Sequence, residues 1–171
     1  MKNKKPDVSV IKWLGLAIAS EKAALNDYLK YARQTKDKTG QDMFIKLAGD
    51  EFQHMTILEK QRSLLMDGQS WQSVKIPPSP IEQISPMSDK AGSAAQANES
   101  GVLELALKAE KKASDFYLAQ SKTVKSAPAC ALLLRLAEIE NAHYQILQSE
   151  LGSINKTGFW MGFSEISMET E

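Results

Sequence analysis

The chain contains two histidines, and each stands three residues after a glutamate, in Glu51-Phe-Gln-His54 and Glu140-Asn-Ala-His143. A further glutamate precedes each pair by 30 residues, Glu21 in the first case and Glu110 in the second, and a tyrosine follows each of these by seven, Tyr28 and Tyr117. Every one of these positions falls on its counterpart after a shift of 89 residues. On a helix, residues three apart share a face, so the Glu and His of each pair can reach the same point. Four carboxylates gathered in an apolar core repel one another and are costly to bury unless they are paired or bind metal. Two divalent cations would balance four glutamates, and two neutral imidazoles would complete a mixed oxygen and nitrogen set suited to iron or manganese. The alternative is a metal-free core in which the same groups are salt-bridged. The hydroxyls of Tyr28 and Tyr117, two turns beyond Glu21 and Glu110, are placed to hydrogen-bond the ligand carboxylates, unless they serve only as core aromatics.

The apolar positions repeat along with the polar ones: Leu14 with Leu103, Ile18 with Leu107, Leu47 with Leu136, Leu58 with Leu147. The chain therefore reads as two copies of one helical hairpin, and the halves are expected to be equivalent. Ile11, Leu14, Ile18, Glu21, Leu25, Tyr28 and Ala32 mark one face of a helix from about Val8 to Thr35. A second helix, with Thr39 as N-cap and its end near Gly68, carries Phe44, Leu47, Glu51, His54 and Leu58 on one face. A third, from about Glu99 to Val124, carries Leu103, Leu107, Glu110 and Tyr117, and a fourth, N-capped by Ser126, carries Leu133, Leu136, Glu140, His143 and Leu147. Asp50, Asp115 and Glu138 lie off these stripes and are expected to face away from the cluster.

Short joints between the first and second and between the third and fourth helices make antiparallel neighbours. The segment between helices two and three, with Pro77, Pro78, Pro80 and Pro86, is not helical. Two parallel hairpins need one such long connection, as in ferritin-like folds. The expected organisation is a single all-α domain over 1–171: a hairpin over 8–68, a crossover over 69–98, a second hairpin over 99–151 and a tail over 152–171. Phe159, Trp160 and Phe163 favour packing of that tail onto the bundle or a partner chain.

The composition, 43% hydrophobic and 25% charged over 171 residues, suits one globular domain. Lysine and arginine together number 21, as do aspartate and glutamate, so no net field recruits nucleic acid or an anionic membrane. The single cysteine, Cys130, excludes an internal disulfide and is expected in the core. Lys2, Lys4 and Lys5 before the run from Trp13 to Ala19 imitate a signal peptide, but Pro6, Asp7 and Lys12 interrupt the pattern. No apolar run approaches the ~20 residues of a membrane span. A cytoplasmic protein is expected.

With Phe44-Ile-Lys-Leu-Ala-Gly-Asp-Glu51-Phe-Gln-His54 and Leu136-Ala-Glu-Ile-Glu140-Asn-Ala-His143, the chain resembles the rubrerythrin branch of the ferritin-like superfamily over about Val8 to Leu151. The resemblance implies a non-haem di-iron four-helix bundle, usually dimeric, that reacts with hydrogen peroxide or dioxygen. It makes Glu21, Glu51, His54, Glu110, Glu140 and His143 ligands of two iron or manganese ions, and it makes Tyr28 and Tyr117 candidate catalytic residues beside them. Iron binding with ferroxidation, without peroxidase turnover, is the alternative activity. Rubrerythrins typically carry another glutamate three residues after the third-helix Glu, where this chain has Ala113. A protein that oxidises iron readily and turns over peroxide poorly is expected. Full-length rubrerythrins also append a four-cysteine rubredoxin domain, so a chain with one cysteine needs an external electron donor.

Overall fold

The computed structural model describes residues 7–79, 81–82, 84–95 and 99–165, with the side chains of 84–94 and 162–165 outside that description. Four helices dominate: α1 (Val8–Gln34), α2 (Lys38–Met66), α3 (Glu99–Ser121) and α4 (Ala127–Thr157). α1 packs chiefly on α2 and α3 on α4, giving two hairpins joined by the crossover between α2 and α3. The architecture is the expected all-α four-helix bundle.

The helix ends follow from local chemistry. Asp7 caps α1 by accepting from the Ser9 amide at 2.9 Å, and Ser126 caps α4 ahead of Pro128 in its first turn. Asp37, not Thr39, caps α2: its carboxylate accepts from the Gly40 amide at 2.9 Å, and Thr39 already lies inside the helix. α3 stops at Ser121, before the expected Val124. α4 runs past Leu151 to Thr157, where Gly158 takes the left-handed conformation at φ 78° that closes a helix at little cost.

The crossover and the tail are more ordered than the sequence suggests. Ile84–Ala94 (β1) pairs antiparallel with Phe159–Glu165 (β2), in a register interrupted twice between Met87 and Ala94. Beyond the start of β2, Trp160 is 1% exposed, stands edge-on to Phe44 at 6.1 Å and donates its indole N–H to Glu99 at 2.8 Å. Gly40 makes room for it, since a Cβ there would meet the indole ring at 2.8 Å. Phe159 is half-exposed, and the side chain of Phe163 lies outside the described residues. Cys130 is a free thiol, only partly buried rather than in the core.

Two apolar clusters fill the bundle. One joins Tyr28, Phe44, Leu47, Leu103, Leu147 and Trp160; the other joins Leu14, Leu58, Tyr117, Leu133, Leu136 and Ile139. Along every helix the glutamates and histidines of the repeat fall between the residues of one cluster and those of the other. The polar centre is thus a layer across the middle of the bundle, with apolar packing above and below.

Candidate metal centre

All six repeat residues are buried, and they converge. Glu21, Glu51, His54 and Glu140 form one group, and Glu51, Glu110, Glu140 and His143 a second; within each, one ligand atom from every residue lies within 4.8 Å of the others. Glu51 and Glu140 belong to both groups and so stand between the two points. Each Glu-x-x-His pair contributes its Glu to the shared position and its His to one side. His54 turns Nδ1 inward, 3.0 Å from Glu140 and 3.6 Å from both Glu21 and Glu51. His143 does the same, 3.1 Å from Glu51, 3.2 Å from Glu140 and 3.6 Å from Glu110. The two rings lie nearly parallel, 5.9 Å apart.

These close approaches are not hydrogen bonds. Glu51 Oε1, both oxygens of Glu140, both ring nitrogens of His54 and Nδ1 of His143 are buried without a hydrogen-bond partner among the described residues. Such a group of buried polar atoms without hydrogen bonds is costly unless protons or a cation bind among them. Oxygen and imidazole donors aimed at two shared points fit a pair of divalent cations.

The tyrosines cross between the hairpins. Tyr28, on α1, donates its hydroxyl to Glu110 Oε1 on α3, and Tyr117, on α3, donates to Glu21 Oε1 on α1. Burial and then the neighbouring carboxylate charge hold both phenols well above their ordinary value, so they stay protonated donors. With Oε1 of each glutamate engaged, Oε2 is the atom left facing a histidine.

Without metal, protons take up the charge. Burial pushes Glu51 well above the carboxylate range, helped by Glu140 and Glu21, and pushes Glu110 to about 7, with Glu140 adding to the effect. Burial pulls both histidines down, but the charge of Glu140 on His54 and of Glu110 on His143 outweighs it and leaves them well above their ordinary value. Burial would lift Glu140 as well; the two imidazoles beside it hold it below the ordinary range instead. Metal and protons therefore compete for the same atoms.

Asp50 was expected to face away, and it does not. It is buried, its Oδ2 lies 3.0 Å from His143 Nε2, and it accepts the hydroxyl of Ser79 in the crossover. One residue before Glu51, it is turned about 100° from the ligand face, which in a bundle points to a neighbouring helix rather than to solvent. Ser79 in turn starts a short turn in which its amide donates to Glu82, and Glu82 is paired with both terminal nitrogens of Arg135 on α4. Asp115 and Glu138 are exposed, as expected, Asp115 paired with Lys111 at 2.5 Å.

No family model and no curated protein matches the chain. Among solved structures, that of a hypothetical protein from Pyrococcus furiosus is similar, with a TM-score of 0.69 and 26% identity over 88% of this chain and 92% of that one. The chain is therefore a four-helix bundle like that protein, with buried carboxylate and histidine clusters suggestive of a ferritin-like metal site.

Proposed function

We propose that the protein holds two iron ions, with manganese as the alternative metal, and that it is a rubrerythrin-like oxidoreductase reacting with hydrogen peroxide or dioxygen. The observation that carries this reading is the pair of four-residue groups sharing Glu51 and Glu140. Glu21 and His54 would complete one position, and Glu110 and His143 the other. The tyrosine hydroxyls, held on Glu21 and Glu110, fix which oxygen each carboxylate presents. Once bound, a redox-active metal pair would supply the two electrons that, with two protons, reduce one peroxide to two waters. The apolar clusters above and below hold the six side chains in place, the bound cations would keep the carboxylates ionised, and an external donor would return the electrons.

Iron loading followed by elemental analysis tests the centre: two ions per chain and a raised melting temperature are expected, since metal binds only the folded arrangement. Fewer than one ion per chain, with melting unchanged, would overturn the reading. Ala113 favours ferroxidation as the second reading, because no carboxylate stands there beside Glu110. Repeated peroxide reduction with an added donor supports the first activity. A single turnover of iron oxidation, with peroxide consumed only slowly, supports the second.

A further inference from the structure

The backbones of α1 and α3 stand apart, and the two helices meet through side chains: the two tyrosine hydrogen bonds and Trp13 edge-on to Phe116 at 6.4 Å. The gap between them is a cavity of about 420 Å³, lined by Leu16, Ala17, Ser20 and Glu21 on one side and by Ala113 and Tyr117 on the other. Glu21 is a member of one candidate metal group, so the cavity reaches the buried cluster from outside. A second cavity of about 390 Å³, between α3 and α4, is lined by Leu134, Ala137 and Tyr144 among others and includes none of the six candidate ligands.

Lys112 and Ser20 line the cavity too, but both are exposed; the buried or half-buried lining around Glu21 is Ala17, Ala113, Phe116 and Tyr117, apolar apart from the tyrosine hydroxyl that Glu21 already accepts. An ion entering such a space loses hydration without compensation, whereas a small uncharged molecule does not. At Ala17 and Ala113 the side chain is a single methyl, and any larger group at 113 would fill the space beside Glu21.

We infer that the α1/α3 groove is the passage by which a small uncharged oxidant, of the size of dioxygen or hydrogen peroxide, reaches the metal centre, and that Ala113 sets its width. This rests on the metal-centre reading above for what lies at its end. The passage itself is testable without metal. Dioxygen is paramagnetic, so under oxygen pressure it speeds the relaxation of the methyl groups it visits in the metal-free protein. Ala17 and Ala48 are buried alike, each at 2% exposure, and of the two Ala17 lines the groove while Ala48 packs in the apolar cluster around Phe44. The methyls of Ala17 and Ala113 should relax severalfold faster than that of Ala48, and equal or slower relaxation would overturn the proposal.

The second arm uses iron(II)-loaded protein and nitric oxide, an uncharged stand-in for dioxygen, with binding followed by absorbance. Ala113→Leu should keep its iron and bind nitric oxide about tenfold more slowly, or worse, as expected for added methylenes in a tight apolar space. Ala109→Leu, on the exposed face at the same cavity, gives a variant with no burden on folding, and it should slow binding in the same direction. Leu134→Trp in the other cavity should leave the rate unchanged. An Ala113→Leu protein with full iron and an unaltered rate overturns the passage. A wild-type chain that takes up no iron overturns the metal reading instead, while the relaxation measurement still decides whether dioxygen occupies the groove.

Discussion

His143 is engaged at both ring nitrogens, Nδ1 among the carboxylates and Nε2 against Asp50. His54 has carboxylates only beside Nδ1, and its Nε2, unlike that of His143, has no hydrogen-bond partner among the described residues. The repeat counterpart of Asp50 is Ile139, so the expected equivalence of the halves ends here. A carboxylate on Nε2–H fixes the tautomer that leaves Nδ1 free and makes that nitrogen a stronger donor. Replacing Asp50 by Ala should therefore weaken metal at the Glu110 and His143 side about 10- to 100-fold and leave the other side near its original affinity. A metal titration would then show two steps. Equal weakening at both sides would mean that Asp50 serves only the fold. The convergence of the six buried side chains was legible because rare residue types recur at one spacing on apolar stripes. Asp50 was not, because periodicity separates inward from outward and says nothing of a flank that meets the next helix. Glu150 could have been found: it is buried seven residues beyond His143, on the same stripe, and accepts the Met161 amide at 2.6 Å.

The four helices were legible as elements, since each carries its apolar and ligand positions at helical spacing. Their ends were less so: Asp37 and Thr39 are both competent caps two residues apart, and only the observed bond to Gly40 distinguishes them. The β1/β2 ribbon left no local trace, because its strands lie some seventy residues apart, and β1 contains Pro86 and an irregular register. What ties the ribbon down is Trp160, which joins the cluster around Phe44 and hydrogen-bonds Glu99 at the start of α3. A side chain so placed holds the tail, the crossover end and α2 together. Trp160→Ala should cost about 3–5 kcal/mol, measured by urea unfolding of the metal-free protein. A loss below about 1 kcal/mol would reduce the tail to a surface segment.

At the scale of the whole molecule, the buried charges make stability depend on pH in a direction that metal reverses. In the metal-free fold, Glu51, His54, Glu110 and His143 all bind protons more tightly than in the unfolded chain, and Glu150, raised by burial and by Asp37, does so up to about 8. A raised group stabilises the fold fully below its unfolded value and loses that contribution as pH rises through its folded value. Glu110 alone, lifted from 4.5 to about 7, contributes on the order of 3 kcal/mol that is gone above that range. Glu140 works the other way, but its window lies below 4.5 and does not enter near neutrality. The metal-free protein should therefore lose about 1 kcal/mol or more between pH 6 and pH 8. Metal needs the same atoms deprotonated, so its affinity, and with it the stability it adds, should rise over that interval. Thermal unfolding with and without iron(II), under anaerobic conditions at both values, measures the two trends together. Metal-free stability that climbs from pH 6 to pH 8 would mean that the unfolded chain binds more protons than the fold, so that His54 and His143 are neutral in the metal-free fold and Glu51 and Glu110 hold no extra proton there.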